Sequence, residues 1–211
     1  MSEPPSSRPD VTIRPAVAGD RAALYDICLL TGDAGEDASA LYVEHDLLGE
    51  VWVGPYLALE PGLAFVADDR GVAVGYVLGA ADTAAFEAAA EASWWPALRA
   101  RYPDAPTSGE LTPDEELHRW IHHPPPTPAA LLADHPAHLH IDLLPRAQGL
   151  GLGRRLIDTL LGALRDRGVP GVHLGVDAGN HRAMGFYEHL GFTRLGPDHD
   201  GSGGLIYGLH L

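Results

Sequence analysis

The chain has 211 residues, of which 45% are hydrophobic, and it carries a formal net charge of −15. This length and apolar content predict a folded domain with a sizeable core and exclude a globally disordered chain. The negative charge argues against nucleic acid as the main partner, because phosphate binding requires a basic face. A cationic or neutral substrate suits such a protein better.

The cysteine count and the hydropathy pattern indicate the cellular compartment. Cys28 is the single cysteine, which rules out an internal disulfide framework and fits a reducing environment. The stretch MSEPPSSRPD has no apolar signal region, and no run reaches the ~18 apolar residues of a membrane span. We therefore expect a cytoplasmic protein with no membrane partner. Residues 1–9 are Pro/Ser-rich and are expected to be a flexible N-terminus to a single domain over 10–211.

The first half of the chain predicts a strand, a helix and a hairpin. VTIRPA alternates like a strand, and Asp20 is the expected N-cap of the helix RAALYDICLL. LYVEHDLLGEVWVGPYLALEPG is read as a helix followed by an irregular apolar segment that ends at Pro61–Gly62. LAFVADDRGVAVGYVLGAAD predicts two apolar strands around the turn DDRG.

A helical and Pro-rich insertion is expected at about 83–136. It begins with a helix that Pro96 breaks and continues through a Pro-rich stretch with a short helix near Asp114–Ile121. HLHIDLL then predicts a strand, followed by a glycine-rich turn, a helix and the strand GVHLGVD. Asn180 is the expected cap of a last helix, and FTRL and GLIYGLHL are expected to pair as antiparallel strands. This order predicts a mixed α/β sheet.

The stretch PRAQGLGLGRRL stands where the strand HLHIDLL gives way to a helix, and it contains Gly149, Gly151 and Gly153. Glycines at such a junction let the backbone approach an anion closely, and the helix N-terminus offers free N–H groups. The pattern predicts a phosphate or pyrophosphate cradle, with a purely structural tight turn as the alternative.

Two other glycine motifs fit this junction less well. No Gly-Lys-Ser/Thr follows, which excludes a P-loop. A dinucleotide-binding fingerprint would use Gly149 and Gly151, and Asp177 ends the next strand. However, Arg154 stands where that fingerprint needs its third glycine, and too few βα units follow to build a doubly wound sheet.

The loop Gln148-Gly-Leu-Gly-Leu-Gly resembles the pyrophosphate loop of the GNAT acetyltransferase superfamily. About 30 residues further on, the scale of a βαβ unit, NHRAMGFYEHLGF resembles the Asn-x-x-Ala-x-x-Phe-Tyr-x-x-Leu-Gly-Phe signature of that superfamily. VTIRPAVAGDRAALYDIC resembles its first strand and helix, so the resemblance spans nearly the whole chain. More narrowly, LYDICLLTGDAG, VGYVLGAADTAAFEAAAEASWWPALRARYP and the Pro-rich stretch are similar to the acetyltransferase-like domain of O-GlcNAc hydrolases and its free-standing bacterial relatives.

The resemblance implies a GNAT fold, which is a central twisted mixed sheet, splayed at the cofactor strand, with helices on both faces. It implies acetyl-CoA (coenzyme A) as the cofactor. The residues that it assigns to cofactor binding are Leu143, Leu144, Gln148, Gly149, Leu150, Gly151, Leu152, Gly153, Arg154, Asn180 and Tyr187.

The resemblance also implies roles in catalysis. The backbone N–H of Leu143 would steady the oxyanion, and Tyr187 would protonate the leaving thiolate, unless it is only a core tyrosine. Asn180 is either an N-cap alone or also a contact to coenzyme A. Asp142 is the first candidate for the general base that an ammonium acceptor requires.

Several side chains on or near that strand allow two interpretations. His138, His140 and Asp142 share one strand face, which lies either toward the reaction or away from it, and a water chain could serve as the base instead. No second cluster supports a metal site there, so none is expected. Cys28 reads as core. Trp94 and Trp95 either wall an acceptor groove or pack the insertion.

The sequence therefore predicts an acetyl-CoA-dependent N-acetyltransferase that acts by direct transfer to a small-molecule or peptide amine. A catalytically silent acetyl-CoA-binding or protein-interaction module is the alternative. The insertion at 83–136 is expected to cover the acceptor side, and the protein is expected to be a monomer or homodimer.

Overall fold

The computed structural model describes residues 11–199 and 203–211, so the predicted flexible segment 1–9 lies outside the described residues. Within them, seven strands form one sheet in the order β1-β2-β3-β4-β5-β7-β6. The strands are β1 Val11–Pro15, β2 Ala64–Asp69, β3 Val72–Ala80, β4 Ala137–Leu143, β5 Gly171–Val176, β6 Thr193–Pro197 and β7 Leu205–His210.

The contact between β4 and β5 is the exception in this otherwise antiparallel sheet. The two strands are parallel, and they pair only at Ala137 with Val172 and at His138 with His173. Beyond His138 they separate, while β4 stays paired with β3 as far as Leu143. The predicted mixed sheet, splayed at the strand HLHIDLL, is confirmed.

Nine helices among the described residues cover the two faces of the sheet. They are α1 Arg21–Leu29, α2 Leu47–Trp52, α3 Gly54–Leu59, α4 Thr83–Ser93, α5 Trp95–Arg101, α6 Pro113–His122, α7 Ala129–Asp134, α8 Leu152–Asp166 and α9 His181–His189. No helix in this part of the chain is both long and apolar enough to cross a bilayer.

Each face of the sheet has its own apolar core. Tyr76 and Leu78 of β3 point into a core with α1 to α6, whereas Val77 points into a core with α8 and α9. The side chains of β3 alternate between the two cores because successive side chains on a strand point to opposite faces of the sheet. Helix α8 buries the side that its sequence spacing predicted, including Leu156, Leu160 and Leu164.

Local differences from the sequence prediction occur at helix ends and in the first half of the chain. The carboxylate of Asp20 makes no cap bond to α1; it accepts from the Val17 N–H at 2.8 Å and pairs with Arg14 instead. The segment read as a helix with an irregular continuation contains α2 and α3, and α7 was missed. Asn180 does cap α9, since its Oδ1 accepts from the Ala183 N–H at 3.0 Å.

The two ends of the predicted insertion at 83–136 are hydrogen bonded to each other. The backbone N–H and the side-chain hydroxyl of Thr83 both donate to the carbonyl of Pro136, at 2.8 and 2.7 Å. Helices α4 to α7 lie between these ends. The insertion therefore leaves the sheet after β3 and returns to it at β4 through one closed junction.

Gly75 of β3 sets how closely β3 approaches β4. A Cβ atom there would lie 2.8 Å from Leu143 Cγ and 2.9 Å from the Asp142 carbonyl oxygen. We expect Gly75→Ala to lower the free energy of unfolding by about 1–3 kcal/mol, the usual cost of overpacking. Urea denaturation would measure the change.

Gly162 in α8 provides the matched control, because a Cβ atom there would meet nothing within 4 Å. Gly162→Ala should raise the free energy of unfolding by about 0.5–1 kcal/mol, as expected for alanine in a helix interior. Equal effects of the two substitutions would contradict the close approach at Gly75.

Candidate active site

The glycine loop ends in backbone that only glycine adopts easily. Gly149 and Gly151 have φ angles of 73° and 76°, and Gly151 directly precedes the first residue of α8. A Cβ atom on either glycine would point into open space. The first N–H groups of α8 have no partner within the helix, and no side chain caps them. The loop is therefore open to an anion at the helix N-terminus.

Gly153 serves a different purpose from the other two glycines. It lies inside α8, and a Cβ atom there would approach the Phe186 ring to 3.1 Å. The small residue thus lets α8 and α9 pack closely.

A cavity of about 690 Å³ lies against this loop, and we call it the loop cavity. Every residue that the sequence assigned to the cofactor lines it, except Leu144 and Leu150. Leu144 is buried in the core and donates its backbone N–H to the Val74 carbonyl at 3.0 Å, whereas the Leu150 side chain is exposed on the loop. The predicted set, apart from those two residues, is thus brought together around one cavity.

The free edge of β4 also faces the loop cavity. The Leu144 N–H points to β3, and backbone groups alternate sides along a strand, so the N–H groups of Ile141 and Leu143 point away from β3. Both residues line the loop cavity on the side that β5 has left. An extended ligand can therefore pair with this edge as an added strand would.

Two arginines, Arg154 and Arg182, line the loop cavity, beside the acidic side chains of Asp33, Glu36 and Asp142. The Arg182 guanidinium donates to Gln148 Oε1, and Gln148 Nε2 donates to the Leu143 carbonyl at 2.8 Å. These bonds join α9, the loop and β4. The cradle therefore fits an anionic cofactor such as a pyrophosphate. Sequence reasoning missed Arg182, although it stands in NHRAMGFYEHLGF, two residues after Asn180.

A second cavity, of about 840 Å³, lies on the other side of Asp142, and we call it the aromatic cavity. Its walls come from β4, from α2 and α3, and from the predicted insertion, and they carry the rings of Trp52, Tyr56, Phe86, Trp95 and Trp120. Asp142, Asn180 and Tyr187 line both cavities. The two cavities therefore meet where the sequence placed the reacting groups.

Asp142 is held by a tyrosine hydroxyl at this junction. The buried Tyr76 hydroxyl donates to Asp142 Oδ2 at 2.5 Å. Burial raises the pKa of Asp142 to about 6, against the opposing hydrogen bond from Tyr76. A carboxyl group with this pKa is ionised near neutral pH and is a stronger base than an exposed aspartate. The Tyr76 hydroxyl was not identified from sequence, because its contact with Asp142 is long-range in the chain.

His138 is on the same strand face, but both of its ring nitrogens are hydrogen bonded to other side chains. The Thr83 hydroxyl gives its one proton to the Pro136 carbonyl, so it accepts from His138 Nδ1–H at 2.8 Å. His138 Nε2 then accepts from the Tyr56 hydroxyl at 2.7 Å. This neutral tautomer fits the direction of its pKa, which burial holds well below the ordinary value. His138 is thus structural and unsuited to be the base.

His140 borders the aromatic cavity between these two residues. Its ring contacts those of Trp52 and Tyr56, at 5.6 and 5.3 Å between centroids. Burial and the neighbouring His173 lower the pKa of His140 to about 4, so the ring is neutral near pH 7. Among the described residues, no group of three or more His, Cys, Asp or Glu side chains could hold a metal ion.

Tyr187 lies on α9 with 7% of its surface exposed, at the boundary of both cavities. Burial, together with the charge of Asp142, raises the pKa of its phenol. It is therefore protonated at neutral pH and can donate a proton. Burial also raises the pKa of the Cys28 thiol, which makes that cysteine a poor nucleophile.

The two adjacent tryptophans have different surroundings. Trp95 lines the aromatic cavity. Trp94 lines neither cavity; its Nε1 donates to the Glu50 carbonyl at 2.9 Å, and its ring lies against Gly54. Trp120 reaches the cavity from α6 and contacts Trp52, with 4.9 Å between ring centroids.

A mixed sheet splayed beside an open glycine loop at a helix N-terminus is the arrangement that the sequence resemblance to acetyltransferases implies. The model of the acetyltransferase (GNAT) family matches residues 33–192, and the chain belongs to that family. It is an acyltransferase, and its cofactor is acetyl-CoA.

Relatives within the family agree with the narrower resemblance seen in the sequence. The crystal structure of SsHAT is 42% identical and covers 96% of this chain and 98% of its own, with a TM-score of 0.86. Protein O-GlcNAcase of Rattus norvegicus is 28% identical over 181 residues, which are 85% of this chain and 20% of the rat protein. Mycothiol acetyltransferase of Thermomonospora curvata is 59% identical over 56 residues, or 26% of this chain and 18% of that protein. The chain thus spans about a fifth of the length of these two curated relatives.

Gly151→Ala should weaken acetyl-CoA binding at least tenfold, because the added methyl group projects into the open space of the loop cavity. It should also cost about 1–2 kcal/mol of stability, the strain of a left-handed backbone at alanine. Calorimetric titration with acetyl-CoA would measure the affinity.

Gly168→Ala is the matched control, because Gly168 has a φ angle of 72° and equally open surroundings but lies outside both cavities. It should cost similar stability and leave acetyl-CoA affinity unchanged. If both variants bind acetyl-CoA like the wild type, the glycine loop is not the cradle.

Proposed function

We propose that this protein is an N-acetyltransferase that transfers the acetyl group of acetyl-CoA directly to a primary amine. The observation that carries the proposal is the meeting of the loop cavity and the aromatic cavity at Asp142 and Tyr187. One cavity suits an anionic cofactor and the other an acceptor. A base and an acid lie between them.

The loop cavity would hold the cofactor. The backbone of Gly149 and Gly151 and the first turn of α8 receive the pyrophosphate, with Arg154 and Arg182 balancing its charge. The free edge of β4 would pair with the extended arm of the cofactor, and the Leu143 N–H would be available to donate to the thioester oxygen. When bound, acetyl-CoA supplies an acetyl group activated as a thioester.

Asp142 would remove a proton from the acceptor. An alkyl ammonium of pKa about 10.4 must lose a proton before its nitrogen can attack. The Asp142 carboxylate accepts that proton, Tyr76 holds the carboxylate in place, and Tyr187 gives its own proton to the departing sulfur. One C–N bond forms and one C–S bond breaks. The nitrogen then loses its second proton, which restores the Tyr187 phenol, and Asp142 releases the first proton to solvent, so the products are an amide, a thiol and one proton. Cys28 takes no part, so no covalent enzyme intermediate is needed.

The predicted insertion would set acceptor choice. Phe86, Trp95 and Trp120 belong to it and line the aromatic cavity, and they share that cavity with Tyr187. The hydrogen bonds of Thr83 and Pro136 fix the insertion to the start of β4.

An acceptor screen with detection of the released thiol tests the proposal, beside calorimetric titration of acetyl-CoA. The chain contains no lysine, so acetyl-lysine found on any added peptide or protein comes from that acceptor and not from the enzyme. Acetyl-CoA binding with no transfer to any amine would reject the proposed reaction and favour the silent binding module.

Tyr187→Phe should slow turnover about 10²-fold or more, the usual contribution of a general acid, with little change in acetyl-CoA affinity. Rates are to be measured where chemistry limits turnover. Tyr207→Phe is the matched control, since Tyr207 is a buried tyrosine of the same core that lines neither cavity. Equal rates in Tyr187→Phe and wild type would remove Tyr187 from the mechanism.

Protonation of Asp142 should cause the fall of kcat/KM at low pH. Below pH 6 its carboxyl is protonated and cannot accept a proton, so kcat/KM should rise through about pH 6 and then level. Nearby Tyr76, Cys28 and Tyr187 stay protonated because burial raises their pKa values, and His140 is neutral above about pH 4. Asp142→Asn should lower the plateau about 10²-fold or more and remove this inflection.

Thermal stability separates this effect from unfolding. The folded-state pKa of Asp142 lies above its unfolded value, so the stability it contributes is present below about pH 4 and is lost as pH rises through about 6. Asp142→Asn should therefore be at least as stable as the wild type at pH 7 while losing activity. An unchanged pH profile in Asp142→Asn would assign the base to another group or to water.

A further inference from the structure

A row of aromatic rings forms one wall of the aromatic cavity. Trp120 contacts Trp52 with 4.9 Å between ring centroids, and Trp52 contacts His140 at 5.6 Å. His140 contacts Tyr56 at 5.3 Å, and Tyr56 stacks on Phe86 at 4.6 Å. The row runs from the insertion across β4. It offers ring edges and faces to whatever enters the cavity.

Acidic side chains outnumber arginines and lysines in the lining of the aromatic cavity. Among the described residues that line it there is no arginine or lysine, whereas Glu87, Glu91, Asp142, Asp177 and Asp198 all line it. An ammonium group is therefore favoured in the cavity, and a carboxylate or phosphate on the acceptor is disfavoured. The loop cavity differs in that it contains two arginines besides its own carboxylates.

Several polar groups of the wall are already satisfied. Glu87 accepts from the Thr127 hydroxyl at 2.6 Å, and Glu91 is paired with Arg99. His138 is held between Tyr56 and Thr83. These bonds hold the side chains in place, and the rings of the row supply the apolar part of the wall. The wall is suited to an apolar ring.

The spacing from the rings to the base fits a short arm. His140 lies among the rings, and Asp142 is two residues further along the same strand face, a distance of roughly 7 Å. A ring packed beside His140 can place an amine on a two-carbon arm near Asp142.

We propose that the acceptor is a small primary amine carried on an aromatic ring by a short alkyl arm, with no carboxylate. This inference rests on the proposed N-acetyltransferase function and names its substrate class. One proton of the amine passes to Asp142, and the nitrogen forms the C–N bond of the amide. The C–S bond of the thioester breaks as Tyr187 protonates the sulfur, and the second proton of the nitrogen restores the Tyr187 phenol.

Three acceptors test the substrate class at saturating acetyl-CoA: 2-phenylethylamine, phenylalanine and Nα-acetyl-lysine amide. Phenylalanine keeps the ring and the arm but adds a carboxylate, and the lysine amide keeps a primary amine but lacks the ring. We expect kcat/KM for 2-phenylethylamine to exceed both others at least tenfold. A kcat/KM for phenylalanine or the lysine amide that equals or exceeds it would overturn the inference.

Tryptophan variants test whether the ring row is responsible. Trp52→Leu and Trp120→Leu should each lower kcat/KM for 2-phenylethylamine about tenfold, the loss expected for an aromatic pair, with acetyl-CoA affinity unchanged. Trp94→Leu is the matched control, because Trp94 is also half-buried but lines neither cavity. Equal rates in all three variants would contradict recognition by the ring row.

Binding separates failure of this inference from failure of the proposed reaction. Here 2-phenylethylamine is titrated calorimetrically into the protein saturated with coenzyme A. Binding that Trp52→Leu weakens, with no acetylation of any amine, would support the substrate class and reject the reaction. Acetylation of the lysine amide with neither binding nor acetylation of 2-phenylethylamine would keep the reaction and overturn the substrate class.

Discussion

The separation of β4 from β5 after His138 is the constraint on which the rest of the site depends. Two residue pairs hold the strands together, and then the backbone of β4 has one paired edge and one free edge. An unpaired strand edge inside a domain is costly unless a ligand or water satisfies it. The splay therefore creates both the binding edge at Ile141 and Leu143 and the space between the strands that the cavities occupy. Gly75 keeps β3 close enough to hold β4 in this position.

The two cavities at this splay differ in charge because different elements line them. In the loop cavity, Arg154 on α8, Arg182 on α9 and the N-terminus of α8 place positive charge beside the glycine loop. The aromatic cavity takes carboxylates and rings from the other elements. An acidic protein with a net charge of −15 can thus bind an anionic cofactor. Salt screens the overall charge at long range, whereas the arginines act on the cofactor at short range. The overall charge still favours a cationic acceptor.

Local sequence signals predicted the parts of the site that depend on neighbouring residues. The glycines before α8, the cap at Asn180 and the strand that carries Asp142 are short-range patterns, and the structure has each of them. The partners of those residues could not be predicted. Tyr76 and Asp142 are 66 residues apart in the chain, and no local pattern brings them together. The same holds for Arg182 and Gln148, which are 34 residues apart. Trp94 and Trp95 are adjacent, yet only the tertiary packing decides which of them reaches the cavity.

The insertion and the reacting strand are joined by a continuous set of hydrogen bonds. Thr83 binds the Pro136 carbonyl, accepts from His138, and His138 accepts from Tyr56. Each of these groups is satisfied, so a shift of the insertion would leave buried polar groups unpaired, at about 1–3 kcal/mol for each group. The aromatic wall is therefore held in register with β4, which also carries Asp142 and Leu143. Acceptor selection and catalysis consequently both depend on β4. A change in the packing of the insertion therefore affects both.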